Sequence, residues 1–438
     1  MTLLSSWRNL FRIPEARRRI LWTLGLLVVF RIGSHVPLPG LNPAALRAFS
    51  EQASEAMGGL WSYLQLFSGG ALGHLALFSM GIAPYITASI IVQLLSKVHP
   101  ALEAIAKEGA RGQRRLQQIT RYVSLPVCLL QASVAVWNLF DVQVVPPLLT
   151  ARSVPVALLL VAGLTAGAMA LQWIGEQITE RGVGNGASIL IMAGIVSRMP
   201  ALLGEMTRRV REGALGADAF VLILLLYVAA IVAMVFLSQA QRRIPLQHAS
   251  HVRGRRLQLG GRNYLPVRIL GAGVMPLIFA STALVVPELL GRLPGMDWLR
   301  RPFHEAGFVA TVFQVAVILF FSYFWAYVFF RPSEIALQLR ESGSFIPGLR
   351  PGEVTAAYLD GILTRITLCG GVVLAAIALL PGFLARGLGL HHLLDAFLGG
   401  SSLLIVVGVG LDLIQKFESW LLMHHYGGFL SRGGGNLK

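Results

Sequence analysis

Charge is what this sequence has least of. Asp, Glu, Lys and Arg make up 13% of the 438 residues, 55% are hydrophobic, and the mean hydropathy is +0.66. Soluble domains carry about 25% charged residues, so this composition excludes one and leaves an integral membrane protein. Cysteine is nearly absent too. Cys128 and Cys369 each fall inside an apolar run and read as free packing residues, which excludes a disulfide framework. No G-x-x-x-x-G-K-[ST] loop for nucleotide phosphates occurs, and no H-E-x-x-H or ligand-spaced Cys/His cluster. His391-His392 and His424-His425 are adjacent pairs pointing to different helix faces, which suits a membrane interface better than a metal. The stretch "RGVGNGAS" follows no soluble strand. It reads as a short turn with Asn185 capping the next helix, so no cofactor, metal or catalytic site is expected. Nor is there an acidic or basic residue in the middle of any apolar run, which argues against an ion-coupled transporter.

What is present is a series of ten apolar runs, near 20–36, 74–96, 121–140, 154–174, 184–203, 218–238, 268–290, 307–330, 363–382 and 396–415. A bilayer core needs about 20 apolar residues per helix, and each run approaches that length. The first run carries no small-residue cleavage site, and Arg31 and Pro37 follow it, so it reads as a retained helix. With the N-terminus inside, more than two-thirds of the 37 Lys and Arg residues fall in cytoplasmic segments. That bias places both termini in the cytoplasm; the outer segment 198–218, with four arginines, runs against it. Two cytoplasmic loops are long. The loop near 239–268 holds seven arginines and no acid, which suits either an anchor on anionic lipid or a docking surface for an acidic or RNA-containing partner. The loop near 331–362 has balanced charge, and Pro347-Gly348 and Pro351-Gly352 set Arg350 at a turn tip.

The second and seventh runs share a pattern. "GIAPYITAS" (Gly81 to Ser89) and "GVMPLIFAS" (Gly273 to Ser281) match at Gly, Pro, Ile, Ala and Ser in one register. Halves offset by five helices enter the membrane in opposite directions, which makes an inverted repeat. Ile82, Ile86 and Ile278 beside Pro84 and Pro276 suit ordinary helix packing or a hydrophobic constriction. Just before the second run stands "LFSGGALGH" (Leu66 to His74), where a serine and two glycines break an apolar stretch.

Read together, "VVFRIGSHVPLPG", "FSGGAL", "GIAPYITASIIVQLL", "IAKEGARGQRRLQQITRY", "GEQITERGVGNGASI", "FIPGLRPGEVTAAYLDGILTR" and "GGSSLLIVVGVGLDLIQ" resemble, in order and nearly end to end, the SecY family of protein-conducting channels. The resemblance implies an all-α polytopic membrane protein of ten helices, in two inverted five-helix halves around an hourglass pore. These would be 1–205, with a plug near 57–72, and 206–438, with the two long loops. The implied function is a passive channel of the bacterial plasma membrane. It passes unfolded secretory chains and releases transmembrane segments sideways, driven by the SecA ATPase or the ribosome. SecE and SecG would be its membrane partners, and anionic lipids would surround it. By motif position the pore ring falls on Ile82, Ile86, Ala187, Ile191, Ile278 and Ile405, Ala187 standing where the family has a bulkier residue. The plug hinge falls on Phe67, Ser68, Gly69 and Gly70, the lateral gate on Thr87, Gln131, Ser281 and Thr282, and partner docking on Arg255, Arg256 and Arg350. A secondary transporter and a non-conducting assembly subunit are the competing readings of the residues alone.

Overall fold

Proline stands at one of the first two positions of five of the helices that follow, which is where its fixed φ and missing N–H cost least. The computed structural model describes residues 13–42, 45–46, 48–50, 65, 68–141, 153–213, 216–248, 251–253, 256–258, 262–270, 276, 308–387 and 400–432. They gather into two units, one of Met1–Glu205 with Val409–Lys438 and one of Met206–Gly408.

In the first unit, α1 (Pro14–Gly33) carries Glu15 in its first turn and Arg31 in its last, each at the end its charge favours. Then come α2 (Ala83–Val98), the short α3 (Pro100–Lys107), α4 (Ala110–Asp141), α5 (Val154–Arg181) and α6 (Gly186–Arg211). Ala132 and Val136 of α4 pack on Leu160 and Leu164 of α5, with Leu38 closing the cluster. The turn "RGVGNGAS" between α5 and α6 is pinned by side chains. Asn185 Oδ1 accepts the Ala187 and Ser188 N–H groups at 3.1 and 3.4 Å, the expected cap. Thr179 Oγ1 accepts the Gly186 N–H at 2.8 Å, and Thr23 Oγ1 of α1 accepts that of Val183 at 3.1 Å.

The second unit holds α7 (Ala217–Gln239), α8 (Phe308–Phe329), α9 (Pro332–Glu341), α10 (Glu353–Gly387) and the start of α11 (Gly400–Arg432). Helix α7 is apolar all round and leaves Leu225, Val228 and Phe236 exposed, as a lipid-facing helix does. The arginine-rich loop after α7 is not irregular. It folds into β1 (Gln241–His248) and β4 (Arg262–Arg268), paired antiparallel from Gln241–Arg268 to Gln247–Arg262. Between them lies a small ribbon, β2 (His251–Arg253) with β3 (Arg256–Gln258). The second long loop supplies β5 (Ser344–Phe345), which pairs with Gln247 and His248, giving a sheet of order β4-β1-β5. Alternation buries Ile244 and Leu246 and turns Arg243 and Pro245 outward. The buried face packs with Val267, Ile346, Leu359 and Ile362.

Among the described residues, six helices are long and apolar enough to cross a membrane: Arg111–Trp137, Val154–Arg181, Gly186–Arg211, Ala217–Gln239, Phe308–Glu341 and Glu353–Leu379. The chain is therefore a polytopic, predominantly helical membrane protein. Helices α1 and α11 cover the first and tenth runs, while most of the seventh, 268–290, lies outside the described residues. The second run departs from expectation. Helix begins at Ala83 rather than near residue 74, and the first third of the run is turns and one 3₁₀ turn, Ala71–His74. Cys128 is buried, Cys369 exposed, and both are free.

Candidate functional site

The non-helical part of the second run is held from several sides. Gly69 and Gly70 adopt φ of +62° and +87°, the left-handed region that a Cβ disfavours, so the break in "LFSGGALGH" is a backbone requirement. Ser68 fixes the reversal: its hydroxyl donates to the Gln65 carbonyl at 3.2 Å and accepts the Leu72 N–H at 3.2 Å. Leu75 has φ +43°, uncommon for a side chain branched at Cγ and costing about 1–3 kcal/mol unless neighbours enforce it. They do. The Leu38 N–H donates to the Leu75 carbonyl at 3.1 Å, the Leu77 N–H donates to the Val36 carbonyl at 2.8 Å, and Pro37 bridges Ala76.

The seat beneath this segment is made of glycine. A Cβ at Gly167 of α5 would lie 1.9 Å from the Leu77 carbonyl oxygen, so only glycine admits the chain there. Gly33 lies under the Phe78 ring, which stacks on Phe30 with centroids 6.3 Å apart. Gly69 meets Gly194 of α6, and Arg31 reaches the Gly69 carbonyl at 3.5 Å and Ser197 Oγ at 3.3 Å. Gly33, Gly167, Gly194 and Arg31 were not singled out for this seat by sequence. Their contacts cross gaps of 38 to 166 residues, and a helix glycine carries no local signal of what it faces.

Of the ring residues, Ile82, Ile86, Ala187 and Ile191 lie in the first unit. Ile82 and Ile191 are each 3% exposed, and Ile86 and Ala187 are half-buried. Gly175 of α5 brings Ile82 close to the start of α6: a Cβ there would touch Ile82 Cδ1 and Leu190 Cδ1, each at 3.4 Å. Ile405, on α11 in the second unit, is 2% exposed. Ile278 lies outside the described residues, as do Phe67, Ser281, Thr282 and Arg255. Of the residues expected at a lateral gate, Gln131 is half-buried in α4, and the Thr87 hydroxyl donates to the Ala83 carbonyl of its own helix at 3.0 Å. Its one proton is thus committed, and only acceptor capacity remains for a partner across a seam.

Of the residues expected to dock partners, Arg256 and Arg350 lie in the two long loops that build the strands. Arg256 is described through its backbone, opposite Arg253 in the β2–β3 ribbon. Arg350 is exposed at the turn that joins β5 to α10. Its carbonyl accepts the Thr355 hydroxyl at 2.8 Å, and Gly348 and Gly352, at φ +84° and +116°, flank the turn. The two loops that carry Arg256 and Arg350 are therefore strands of one folded piece. Elsewhere the polar groups of the spanning helices pair near their ends. Ser124 donates to Gln172 at 2.6 Å, Gln172 to Glu176 at 3.2 Å, and Arg121 forms an ion pair with Glu176.

The membrane-helical fold is of the class seen in a protein-conducting channel. The chain aligns with "The structure of a protein conducting channel" at a TM-score of 0.64 and 16% identity, covering 92% of each chain. It aligns with "Sec61 in the Canine ribosome-channel complex from the endoplasmic reticulum" at a TM-score of 0.56 and 14% identity, again covering 92% of each. At those identities the likeness speaks for the fold. The sequence carries further. The chain is 39% identical to the protein translocase subunit SecY of Thermotoga maritima over 98% of both proteins, and the SecY family model matches residues 76–414. The chain belongs to the SecY family.

Proposed function

We propose that the chain is the channel through which unfolded polypeptides with signal sequences cross the bacterial plasma membrane, and from which transmembrane segments leave sideways into the bilayer. The observation that carries this reading is its near end-to-end identity to a protein translocase subunit. Ile82, Ile86, Ala187, Ile191, Ile278 and Ile405 form the constriction. Aliphatic side chains offer no hydrogen bond to hold a sliding chain, and a narrow apolar neck expels water and with it hydrated ions. Ala187 makes one side of that neck looser. The segment before Ser68 is the plug, Phe67 to Gly70 is its hinge, and the glycine-lined seat described above is where the hinge rests.

The lateral gate runs along Thr87, Gln131, Ser281 and Thr282, whose hydrogen bonds are weak enough to break during exit; such bonds average about 0.6 kcal/mol inside membranes. The chain is passive and performs no catalysis. Energy comes from SecA or the ribosome, which dock with both termini and the β4-β1-β5 platform facing the cytoplasm. Arg255, Arg256 and Arg350 are the contacts, and the Lys and Arg bias supports that orientation. The resemblance to Sec61 from a ribosome-channel complex supports a ribosomal partner. SecE and SecG complete the membrane assembly, and anionic lipid headgroups neutralise the basic loop.

The test is a photoreactive residue at position 86, with a second at exposed Leu130 of α4 as control, in membranes carrying a stalled secretory chain. Crosslinks to the chain from position 86 and not from 130 are expected. Crosslinks from neither, or from 130 alone, overturn the pore assignment.

A further inference from the structure

Beside the plug hinge lies a cavity of about 570 Å³, walled by the end of α1, the turn Gly69–His74 and the middle of α6. Its charged and titratable lining residues are Arg31 from α1, His35 just after it, His74 from the 3₁₀ turn and Arg198 from α6. No carboxylate lines it among the described residues. Arg31 donates to a carbonyl and a hydroxyl, and Arg198 runs alongside Gly70 with no ion pair among the described residues. The His35 and His74 rings stack with centroids 6.0 Å apart and planes 27° apart. Two guanidiniums and two imidazoles thus converge on one partly desolvated space. Arg31, His35 and His74 are exposed and Arg198 is half-buried; like charges gathered without a counter-charge among the described residues favour an anion, and guanidinium forks match tetrahedral oxyanions in geometry. Gln65 adds a neutral amide to the wall.

We infer that this cavity binds a phosphate-class oxyanion, as a free ion or as the phosphodiester of a lipid headgroup, held by Arg31 and Arg198 beside the rings of His35 and His74. The site joins the hinge turn to α1 and α6, so an occupant ties those three together. His74 precedes α2 and lies outside the spanning helices. Burial first, then the charges of His35 and Arg31, hold its pKa below the ordinary histidine range. An oxyanion opposes that repulsion, so binding takes up protons and tightens as pH falls. The groups facing His74 in this linkage, among the described residues, are Arg31, His35 and Arg198.

The inference does not rest on the channel reading, because its readout is binding. Thermal unfolding of the full chain in nanodiscs of a neutral, phosphate-free galactolipid is followed with sulfate against chloride at matched ionic strength. Sulfate keeps its charge between pH 6 and pH 8, so any pH effect belongs to the protein. Sulfate is expected to raise Tm, with a half-saturating concentration about tenfold lower at pH 6 than at pH 8, the size of one charge-assisted hydrogen bond. Arg198→Gln should weaken sulfate about tenfold, Arg198→Lys should restore part of the response, and His74→Asn should remove most of the pH dependence. Identical Tm in sulfate and chloride at both pH values, or an equal response from Arg198→Gln and the unaltered chain, overturns the site. If Arg198→Gln does not fold, the His35→Asn, His74→Asn double variant decides: a pH dependence left intact refutes the inference. Nanodiscs containing phosphatidylglycerol separate the sources. A higher Tm without sulfate and a blunted sulfate response identify a headgroup, while an undiminished sulfate response identifies a free oxyanion.

Discussion

Gly69 and Gly70 announce themselves in the sequence, because two glycines after a serine inside an apolar stretch have few reasons to be there other than a reversal. Gly167 does not, because its reason is the Leu77 carbonyl that lies against it from another part of the chain. The same contrast separates Asn185, a cap legible from the sequence alone, from Thr23, whose bond to Val183 joins positions 160 residues apart. Gly167→Leu should therefore push the hinge segment off α5. Unfolding is expected to shift by about 1–3 kcal/mol of destabilisation, the usual range for overpacking, with a rise in resting ion leak. Unchanged values of both in liposome flux and thermal melts would remove Gly167 from the seat. Arg350 belongs to this scale as well. Arg350→Glu should lower SecA- or ribosome-driven transport without changing membrane insertion, since its side chain is exposed. Normal transport in that variant refutes docking through it.

At the scale of elements, the sheet is the part that sequence reading left incomplete. Seven arginines make charge the dominant signal in 239–268, yet Ile244 and Leu246 alternate with Arg243, Pro245 and Gln247 in the period of a strand. The pairing with β5 was beyond reach, because a two-residue strand has no pattern of its own. The second span misled for the opposite reason. Leu75, Ala76, Leu77 and Phe78 continue an apolar run without a break, and what ends the helix before Ala83 is tertiary pinning and the left-handed Leu75 and Gly81. Ile346→Asp should test the platform by burying a charge in its core, at a cost of about 3 kcal/mol. Limited proteolysis should then open both loops together; protection of either would show that they fold separately. Between α4 and α5, a double-mutant cycle on Arg121 and Glu176 should give a coupling below ~1 kcal/mol, because the arginine is 53% exposed and water screens the pair. A coupling several times larger would mean that the pair is shielded in the membrane.

For the whole molecule, family and fold class were legible because seven motifs in order are far more specific than any one of them, and the relatives agree along nearly the full length. The expected pore ring is a set of positions: four of them lie in one unit, at the start of α2 and of α6, and nothing local in the sequence says which neighbours bury them. If residues before the hinge stopper a resting channel, deleting 60–70 should raise ion flux through idle protein in liposomes. Flux equal to that of the intact chain counts against a sealing role. The bridge between Pro37 and Ala76 bears on how fast such a seal returns. Residues 38 to 75 form a covalent loop whose two ends are clasped to each other, so the segment is tied at both ends like a handle and not trailed like an arm. Bridge partners stand roughly 5 Å apart, the ordinary spacing of paired strands. A tethered segment searches a small volume, equivalent to a local concentration on the order of millimolar. Closure after a chain has passed is thus a first-order event, with a rate independent of how many channels share the membrane.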